Sequence, residues 1–457
     1  MVGGLFSSST GGAQGVSLPP TACCMTLRAR LASPNSHSTL IHLRSHPQQA
    51  QLDDALERLR FWTSPNIAPH VRVCFTREVW YLWQESASSR KDDGEHVLIN
   101  AFFESLPHFT GLERLYAQDI QFTPTGITNL CGLPALTYLE VSGGTNLIRE
   151  QVDPALTLRI TNMTMRLHHR REDAWFSLLS PDALRELELF NPVALAKSDV
   201  APFPNVHTLK AGHLSGHAVE IFNKFPNLRS FSDTYGDVLR NLTLAQELSI
   251  FPVLEEYTGT HQNLHIFVQR ATLTHITLAS GLLFADLAAE LHGISASPNI
   301  TFLAVRFITS ESDQDAFGEA ETEALFSFFP NLTELQLTLI PTEHGELLAR
   351  RMTSFLQMLP SRFFLPSTLH SISLKWDFSQ CDKSDLGMWH NLESPSDISD
   401  FATLRAGLVA KCPALAYILL DRYHFLFLWS KTSSVWEATA YTYRDAEIIR
   451  RQLRRNI

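Results

Sequence analysis

A short hydrophobic phrase recurs along most of the chain. In each copy, an apolar residue is followed by two variable residues and a second apolar residue, often after Pro or Phe-Pro, as in F-P-N-V-H-T-L from Phe203. Successive second apolar residues mostly lie between 19 residues (Tyr257 to Ile276) and 32 residues (Leu303 to Leu335) apart, which is a period typical of repeat proteins. These anchor residues are Leu115, Leu139, Leu187, Leu209, Phe231, Tyr257, Ile276, Leu303, Leu335, Ile372 and Ile418. The stretch P-A-L-T-L-R-I from Pro154 is interpreted as a compressed twelfth copy.

The segments between the anchors have a helical pattern. Apolar residues recur about every 3.6 positions in 215–225, 282–294 and 346–359, whereas they alternate around each anchor. Thr123-Pro124 is a typical helix start, with Thr as N-cap and Pro at the first helical position. Each repeat is therefore predicted to be one strand followed by one helix.

A single strand–helix unit cannot fold alone. Burying about five large apolar side chains gains on the order of 10 kcal/mol, whereas ordering about 25 residues costs roughly 1.5 kcal/mol per residue. Neighbouring units must therefore cover each other. The predicted fold class is an α/β solenoid of about 12 irregular repeats, with parallel strands on the concave side and helices on the convex side.

The composition divides the chain into four predicted segments. Residues 1–50 are rich in Ser, Gly and Pro and contain no acid before Asp53, so a flexible tail is expected there, with an organelle-import peptide as the alternative. Residues 51–105 are predicted to form a helical cap and a first strand region, and residues 106–425 the solenoid. Residues 426–457 are predicted to form a C-terminal capping helix with a basic tail, because Arg450, Arg451, Arg454 and Arg455 have helical spacing. A nuclear-localisation signal or a patch for an anionic partner is the alternative for these arginines.

Charge and cysteine content narrow the function classes. The net charge of −10 argues against a nucleic-acid partner, and no apolar run is long enough to cross a membrane. The six cysteines have no C-x-x-C spacing, which favours reduced thiols and hence the cytoplasm or nucleus.

The repeats resemble the leucine-rich-repeat family, in the ribonuclease-inhibitor-like style, over about residues 106–425. Most copies lack the Asn that usually follows the family's phrase. The segments I-A-P-H-V-R from Ile67 and F-F-E-S-L-P-H-F-T-G-L-E-R-L from Phe102 are similar to fungal F-box proteins with such repeats. That resemblance implies an F-box that docks to a cullin-ligase adaptor, with the substrate held by the repeats. Of the F-box itself only Leu18-Pro19-Pro20 is found, so it is predicted to be degenerate or missing.

No motif for catalysis or cofactor binding appears in the sequence. The P-loop, dinucleotide, zinc-protease and nucleophile-elbow motifs are absent. Cys381, Asp382, Asp385 and His390 include metal-ligand types, but they lie in a polar insertion between repeats. The chain is therefore predicted to be no enzyme and to need no metal or cofactor, and an enzyme site in the 376–400 insertion is the alternative.

Residues that flank the buried anchors are the candidate binding residues. Side chains alternate along a strand, so the neighbours of each anchor point to the opposite, concave side. Aromatic and arginine side chains are common anchors of protein interfaces. The candidates are Arg114, Tyr116, Tyr138, Glu140, Glu186, Glu188, Lys210, Glu256, Gln336 and Lys375.

The sequence thus predicts a non-enzymatic scaffold that captures another protein on its concave face. The role implied by the F-box resemblance is that of a substrate receptor in a cullin ubiquitin ligase. The alternative is a structural interaction protein with no ligase link.

Overall fold

We describe the chain from a computed structural model. The described residues are 24–31, 49–79, 93–147, 152–167, 173–197, 199–214, 216–233, 239, 242, 250–309, 319–341, 355–377, 398–422, 425–432 and 435–441. They fold as an α/β protein with mostly parallel strands joined by helices, in a solenoid-like order. Two compact units, Met1–Leu156 and Thr157–Ile457, are distinguished.

The first unit contains four neighbouring sheet strands in the order β1-β2-β3-β5. Strand β1 pairs antiparallel with β2, and the remaining pairs are parallel. A separate parallel pair is formed by β4 and β6. The elements are β1 (Cys24–Leu31), α1 (Gln49–Trp62), β2 (Val71–Val79), α2 (Asp93–Ser105), β3 (Arg114–Gln118), β4 (Gln121–Phe122), α3 (Pro124–Cys131), β5 (Tyr138–Gly143) and β6 (Asn146–Leu147).

The second unit contains strands that follow one another across the sheet in chain order. Its parallel strands are β7 (Asn162–Leu167), β8 (Glu186–Leu189), β9 (Thr208–Ala211), β10 (Ser230–Asp233), β11 (Glu256–Gly259), β12 (His275–Leu278), β13 (Phe302–Thr309), β14 (Glu334–Pro341), β15 (Ser371–Trp376) and β16 (Tyr417–Arg422). Two antiparallel strands follow, β17 (Phe425–Thr432) and β18 (Val435–Tyr441).

Helices occupy most connections between the parallel strands of the second unit. They are α4 (Asp173–Leu178), α5 (Val193–Lys197), α6 (Ala218–Phe222), α7 (Leu264–Phe267), α8 (Phe284–Leu291), α9 (Glu319–Phe326) and α10 (Ile398–Lys411). Residues 355–362 are also helical.

The predicted anchors form a continuous ladder within each unit. In the first unit Leu115 pairs with Leu139, and Cys74 of β2 extends the ladder. In the second unit each anchor from Leu187 to Ile418 pairs with the anchor of the next strand. All of these side chains are buried. The predicted arrangement of parallel strands with helices between them is therefore confirmed in the described residues, and the anchors also share one register within each unit.

Backbone groups at the strand starts are shared between neighbouring repeats. The carbonyl of Glu113 accepts hydrogen bonds from the N–H groups of Thr137 (2.9 Å) and Tyr138 (3.1 Å), and the carbonyl of Thr301 does the same for Thr333 and Glu334. These recurring bonds give a partner to backbone N–H groups that would otherwise lack a hydrogen bond where the chain bends into each strand.

The Asn of the recurring Pro-Asn step has a related function. The side-chain amides of Asn205, Asn227 and Asn331 donate to carbonyl oxygens of the preceding repeat, at 3.0, 2.9 and 2.9 Å. These asparagines connect successive turns, although they lie before the anchor and not after it.

Helices cover the anchor side of each sheet. Phe222 of α6 contacts the anchor Phe231 with ring centroids 5.3 Å apart, and Phe267 of α7 contacts the anchor Tyr257 at 4.4 Å. In the first unit, Phe103 of α2 lies 5.0 Å from Phe122. The hydrophobic core therefore lies between the sheet and the helices.

Two local predictions need correction. The compressed copy at Pro154 is not a strand of the sheet; the strand is β7, whose anchor position is Met163, and Leu158 makes only an isolated bridge to Leu179. The helix expected over 215–225 is reduced to α6, because the flanking described residues form turns. The helix expected over 346–359 is described from residue 355 and continues to residue 362, and residues 346–354 lie outside the described residues.

Other predictions fall partly or wholly outside the described residues. Within the predicted tail, residues 24–31 form β1, and within the predicted C-terminal cap, residues 426–432 and 435–441 are strands. Leu18-Pro19-Pro20, the 378–397 insertion and the arginines after position 442 lie outside the described residues. Among the described helices, none is long and apolar enough to cross a membrane.

Candidate functional site

Each sheet has one side that no described helix covers, and we call this side the open face. Burial alternates along most of the strands, so that the anchors are buried and their neighbours are exposed or half-buried, as in β8 and β14. In β7 the neighbour Thr164 is also buried. The open face is therefore an array of side chains at strand spacing.

The structure places every candidate binding residue on an open face. In the first unit, Arg114 and Tyr116 lie on β3, and Tyr138 and Glu140 lie on β5. In the second unit, each of the other candidates lies beside a buried anchor or two positions further along: Glu186, Glu188, Lys210, Glu256, Gln336 and Lys375.

The open face of the first unit carries an aromatic patch formed by Phe75, Tyr116 and Tyr138. The rings of Phe75 and Tyr116 stack with centroids 4.2 Å apart and planes inclined by 12°. Tyr116 and Tyr138 follow at 5.2 Å. The patch spans β2, β3 and β5, which are adjacent, and Phe75 is 37% exposed.

Charged groups hold the last ring of the aromatic patch in place. The guanidinium carbon of Arg114 lies 6.0 Å from the centroid of the Tyr138 ring, within the range of a cation–π contact. The Tyr138 hydroxyl donates to a carboxylate oxygen of Glu140 at 3.0 Å. Both charged groups therefore restrict the half-buried Tyr138 ring.

The open face of the second unit carries a row of residues directly before the anchors. Neighbouring members pair in register across nine strands. In strand order, this pre-anchor row is Glu186, Thr208, Ser230, Glu256, His275, Phe302, Glu334, Ser371 and Tyr417. Its three glutamates are exposed and occur on every third strand.

The three glutamates of the pre-anchor row differ from other acids on the same unit. Glu188 pairs with Arg166 at 2.7 Å, and Asp377 pairs with Arg306 at 2.5 Å. Within the described ranges, Glu186, Glu256 and Glu334 form no ion pair. In the described part of the chain, their carboxylates are thus exposed and not neutralised by a paired cation.

Cys74 and Cys412 are buried and Cys131 is half-buried, and all three thiols have a raised pKa. Burial raises the pKa of the Cys131 thiol and of the Cys412 thiol to about 11, and it raises the pKa of the Cys74 thiol further. A thiol must ionise to act as a nucleophile or metal ligand, so these three are poor candidates for either function. In the described part of the chain, no group of three or more His, Cys, Asp or Glu side chains is placed to hold a metal ion.

Sequence reasoning missed three contributors to the open faces. Phe75 was not included because the phrase V-R-V-C-F from Val71 has Cys in place of the usual anchor. Val73, Cys74 and Phe75 are all apolar, so alternation does not identify which of them lies on the open face. Arg166 and Arg306 lie three positions after their anchors, and their ion pairs depend on which strand is the neighbour.

No known protein-family profile matches the chain, and no curated protein matches it.

Proposed function

We propose that this protein is a non-enzymatic scaffold that binds another protein on its open faces, and that its strand–helix units are leucine-rich repeats of the ribonuclease-inhibitor-like kind. The observation that carries the proposal is the aromatic patch of Phe75, Tyr116 and Tyr138. The pre-anchor row of the second unit supplies a second polar surface.

The aromatic patch has the properties of an interface anchor. Aromatic and arginine side chains carry much of the binding free energy in protein complexes because they bury a large area and lose little conformational entropy. Here the stacking of Phe75 on Tyr116 and the hydrogen bond of Tyr138 already restrict the rings before a partner binds. The cost of ordering them on binding is therefore reduced.

The repeat assignment rests on the arrangement of the units. The anchors lie in one register, and parallel strands alternate with helices on one side. The recurring Pro-Asn step resembles the asparagine connections of leucine-rich repeats in purpose but not in position, since it precedes the anchor.

Comparative affinity capture tests the proposal. The full chain and the variant F75A/Y116A are immobilised and exposed to the same extract, and retained proteins are quantified by mass spectrometry. We expect at least one protein to be retained by the full chain and reduced about tenfold or more by the double variant, since anchor residues each contribute 1–2 kcal/mol or more.

A matched control uses another exposed aromatic ring. Phe61 of α1 is 59% exposed and lies on a helix, away from the open face. F61A removes the same kind of side chain and should leave capture unchanged. Equal losses from F61A and F75A/Y116A would contradict the assignment of binding to the aromatic patch.

A substrate-receptor role in a cullin ubiquitin ligase is the form of this proposal that the F-box resemblance implies. Docking to an adaptor needs an apolar surface on packed helices. In residues 1–50, the described positions form strand β1 and the first two residues of α1. We therefore propose the scaffold without a ligase link as the first hypothesis.

A further inference from the structure

The pre-anchor row and the C-terminal arginines have matching spacing. Glu256 on β11 and Glu334 on β14 are three strands apart, which is about 14 Å at the usual strand separation. Arg451 and Arg455 are four residues apart, which is about 13 Å along an extended chain. In a helix the same two residues would be only about 6 Å apart along the axis.

The residue between these arginines matches the surface between the glutamates. His275 and Phe302 separate Glu256 from Glu334 in the row, and their ring centroids are 5.3 Å apart. Leu453 lies midway between Arg451 and Arg455 and, in an extended chain, on the same side. The sequence Arg-x-Leu-x-Arg thus corresponds to the surface order acid, aromatic pair, acid.

The length of chain after β18 permits this contact. Tyr441 is level with Asp421, because both pair with Leu426, and it therefore lies about 13 Å along the strand direction from the pre-anchor row. Four strands separate β18 from β14 and seven separate it from β11, so the direct distances are about 23 Å to Glu334 and about 36 Å to Glu256. Ten and fourteen residues span up to about 33 and 46 Å.

We propose that residues 450–455 of this chain bind in an extended conformation across the open face of the second unit, with Arg451 at Glu334, Leu453 over His275 and Phe302, and Arg455 at Glu256. The contact occurs within one molecule and does not depend on whether the open face also binds a partner protein.

The physical balance favours an intramolecular contact. Exposed ion pairs are individually weak, so the isolated peptide would bind the face only poorly. Tethering by a short connection raises the effective concentration to about the millimolar range, which favours a contact within one molecule over the same contact with a separate peptide. Glu256 and Glu334 also lack an ion pair among the described residues, so no ion pair of that part of the chain must be broken.

Zero-length crosslinking in the full chain tests the proposal. The variant R451K/R455K supplies amines that a carbodiimide can couple to a carboxylate in direct contact. Peptide mapping should find the amine at position 451 joined to Glu334 and the amine at 455 joined to Glu256. The control R450K/R454K has the same charge, but its amines would point away from the sheet, and we expect at least about fivefold lower yield to the same two glutamates.

Two further measurements show whether the open face of the second unit binds residues 450–455 of the same molecule or those of a second copy. Sodium chloride at 0.5 M should suppress both crosslinks, because the pairs are exposed to solvent. Crosslinking an equal mixture of isotopically light and heavy chains should give links within one isotope only. Absence of both links, equal yields from the two variants, or links that are mainly between light and heavy chains would overturn the proposal. The last result would assign the face to a second copy.

Discussion

Glu186 and Glu188 are two residues apart on β8, yet their side chains have different partners. Glu188 accepts from both Nε (3.1 Å) and Nη2 (2.7 Å) of Arg166 on the adjacent strand β7, whereas Glu186 has no ion-pair partner among the described residues. A change at Glu186 therefore alters only the charge of the open face, whereas a change at Glu188 also breaks the ion pair with Arg166.

Charge reversal separates these two effects. We expect E186K to leave the midpoint of thermal unfolding unchanged and to weaken binding of a partner that contacts the open face of the second unit. E188K should lower stability by up to about 1 kcal/mol, because it replaces an attraction to Arg166 with a repulsion. Thermal unfolding and partner binding are measured for both variants. A stability loss from E186K equal to that from E188K would contradict the pairing.

The control for partner binding lies on the helical side of the second unit. Glu319 and Glu321 occupy the first turn of α9 and are exposed. The variant E319K/E321K carries an even larger charge change than E186K and should weaken partner binding less, although it places positive charge at a helix start.

Cys412 makes stability sensitive to alkaline pH. Its thiol is buried, and burial raises its pKa from 9.0 to about 11. The unfolded chain releases the proton first, so the stabilisation by the neutral thiol is complete below pH 9 and is lost as the pH rises towards 11.

The variant C412A should reduce this alkaline sensitivity. At neutral pH we expect it to cost about 1 kcal/mol through lost packing and the lost contact of the thiol with the Pro366 carbonyl at 3.5 Å. Between pH 9 and 11, urea midpoints of the wild type should fall more steeply than those of C412A. Parallel curves for the two proteins would show that ionisation of Cys412 contributes nothing.

The packing of helix α3 depends on a glycine, Gly126. Thr123 accepts a hydrogen bond from the Gly126 N–H at 3.1 Å, as expected for an N-cap. Gly126 faces Phe103, and a Cβ placed there would lie only 2.7 Å from the ring. The helix therefore packs against α2 because Gly126 is small.

We expect G126A to destabilise the protein by about 1–3 kcal/mol, although glycine-to-alanine changes inside helices usually stabilise them. G132A at the end of the same helix is the matched control. There the new Cβ would meet atoms at 3.4 Å or more and the backbone is right-handed, so stability should be unchanged or slightly increased. Chemical denaturation of both variants checks the pair, and equal destabilisation would contradict the close packing at Phe103.

Among the helices and strands, the sequence predicts those elements that are marked by a recurring residue type at a fixed position. The anchors were identified because a large apolar residue recurs at each, and the α3 start because Thr and Pro occur together. β7 was misplaced because Met163 and Met165 take the positions usually held by leucine. β17 was not predicted because residues 425–429 are all apolar, so their period is ambiguous.

For the candidate site, the sequence predicts which residues lie on the open face but not which of them contact each other. Alternation along single strands places Arg114, Tyr116 and Glu186 on the open face. Contacts between side chains depend on which strands are neighbours and on their register. The spacing of the repeats alone determines neither the strand order nor the register. The stack of Phe75 on Tyr116 and the pair of Arg166 with Glu188 are therefore results of the structure.

The role of the whole molecule depends on whether it binds a cullin-ligase adaptor. An intact F-box requires about three packed helices with a contiguous apolar surface. In residues 1–50, the described positions contain β1, which pairs with β2 over eight positions, from Cys24↔Val79 to Leu31↔Val71. That backbone is committed to the edge of the first unit's sheet and is not available for a helix.

We therefore expect the full chain not to bind purified adaptor with a micromolar or tighter dissociation constant. Titration calorimetry measures this, with an intact F-box protein as the positive control. The first variant to compare lacks residues 1–23, which include Leu18-Pro19-Pro20 but leave β1 in place. Micromolar binding by the full chain would contradict the prediction, because helical docking would then have to coexist with the β1–β2 pairing. Loss of that binding in the shortened variant would locate the docking element before β1, whereas its persistence would locate it elsewhere in the chain.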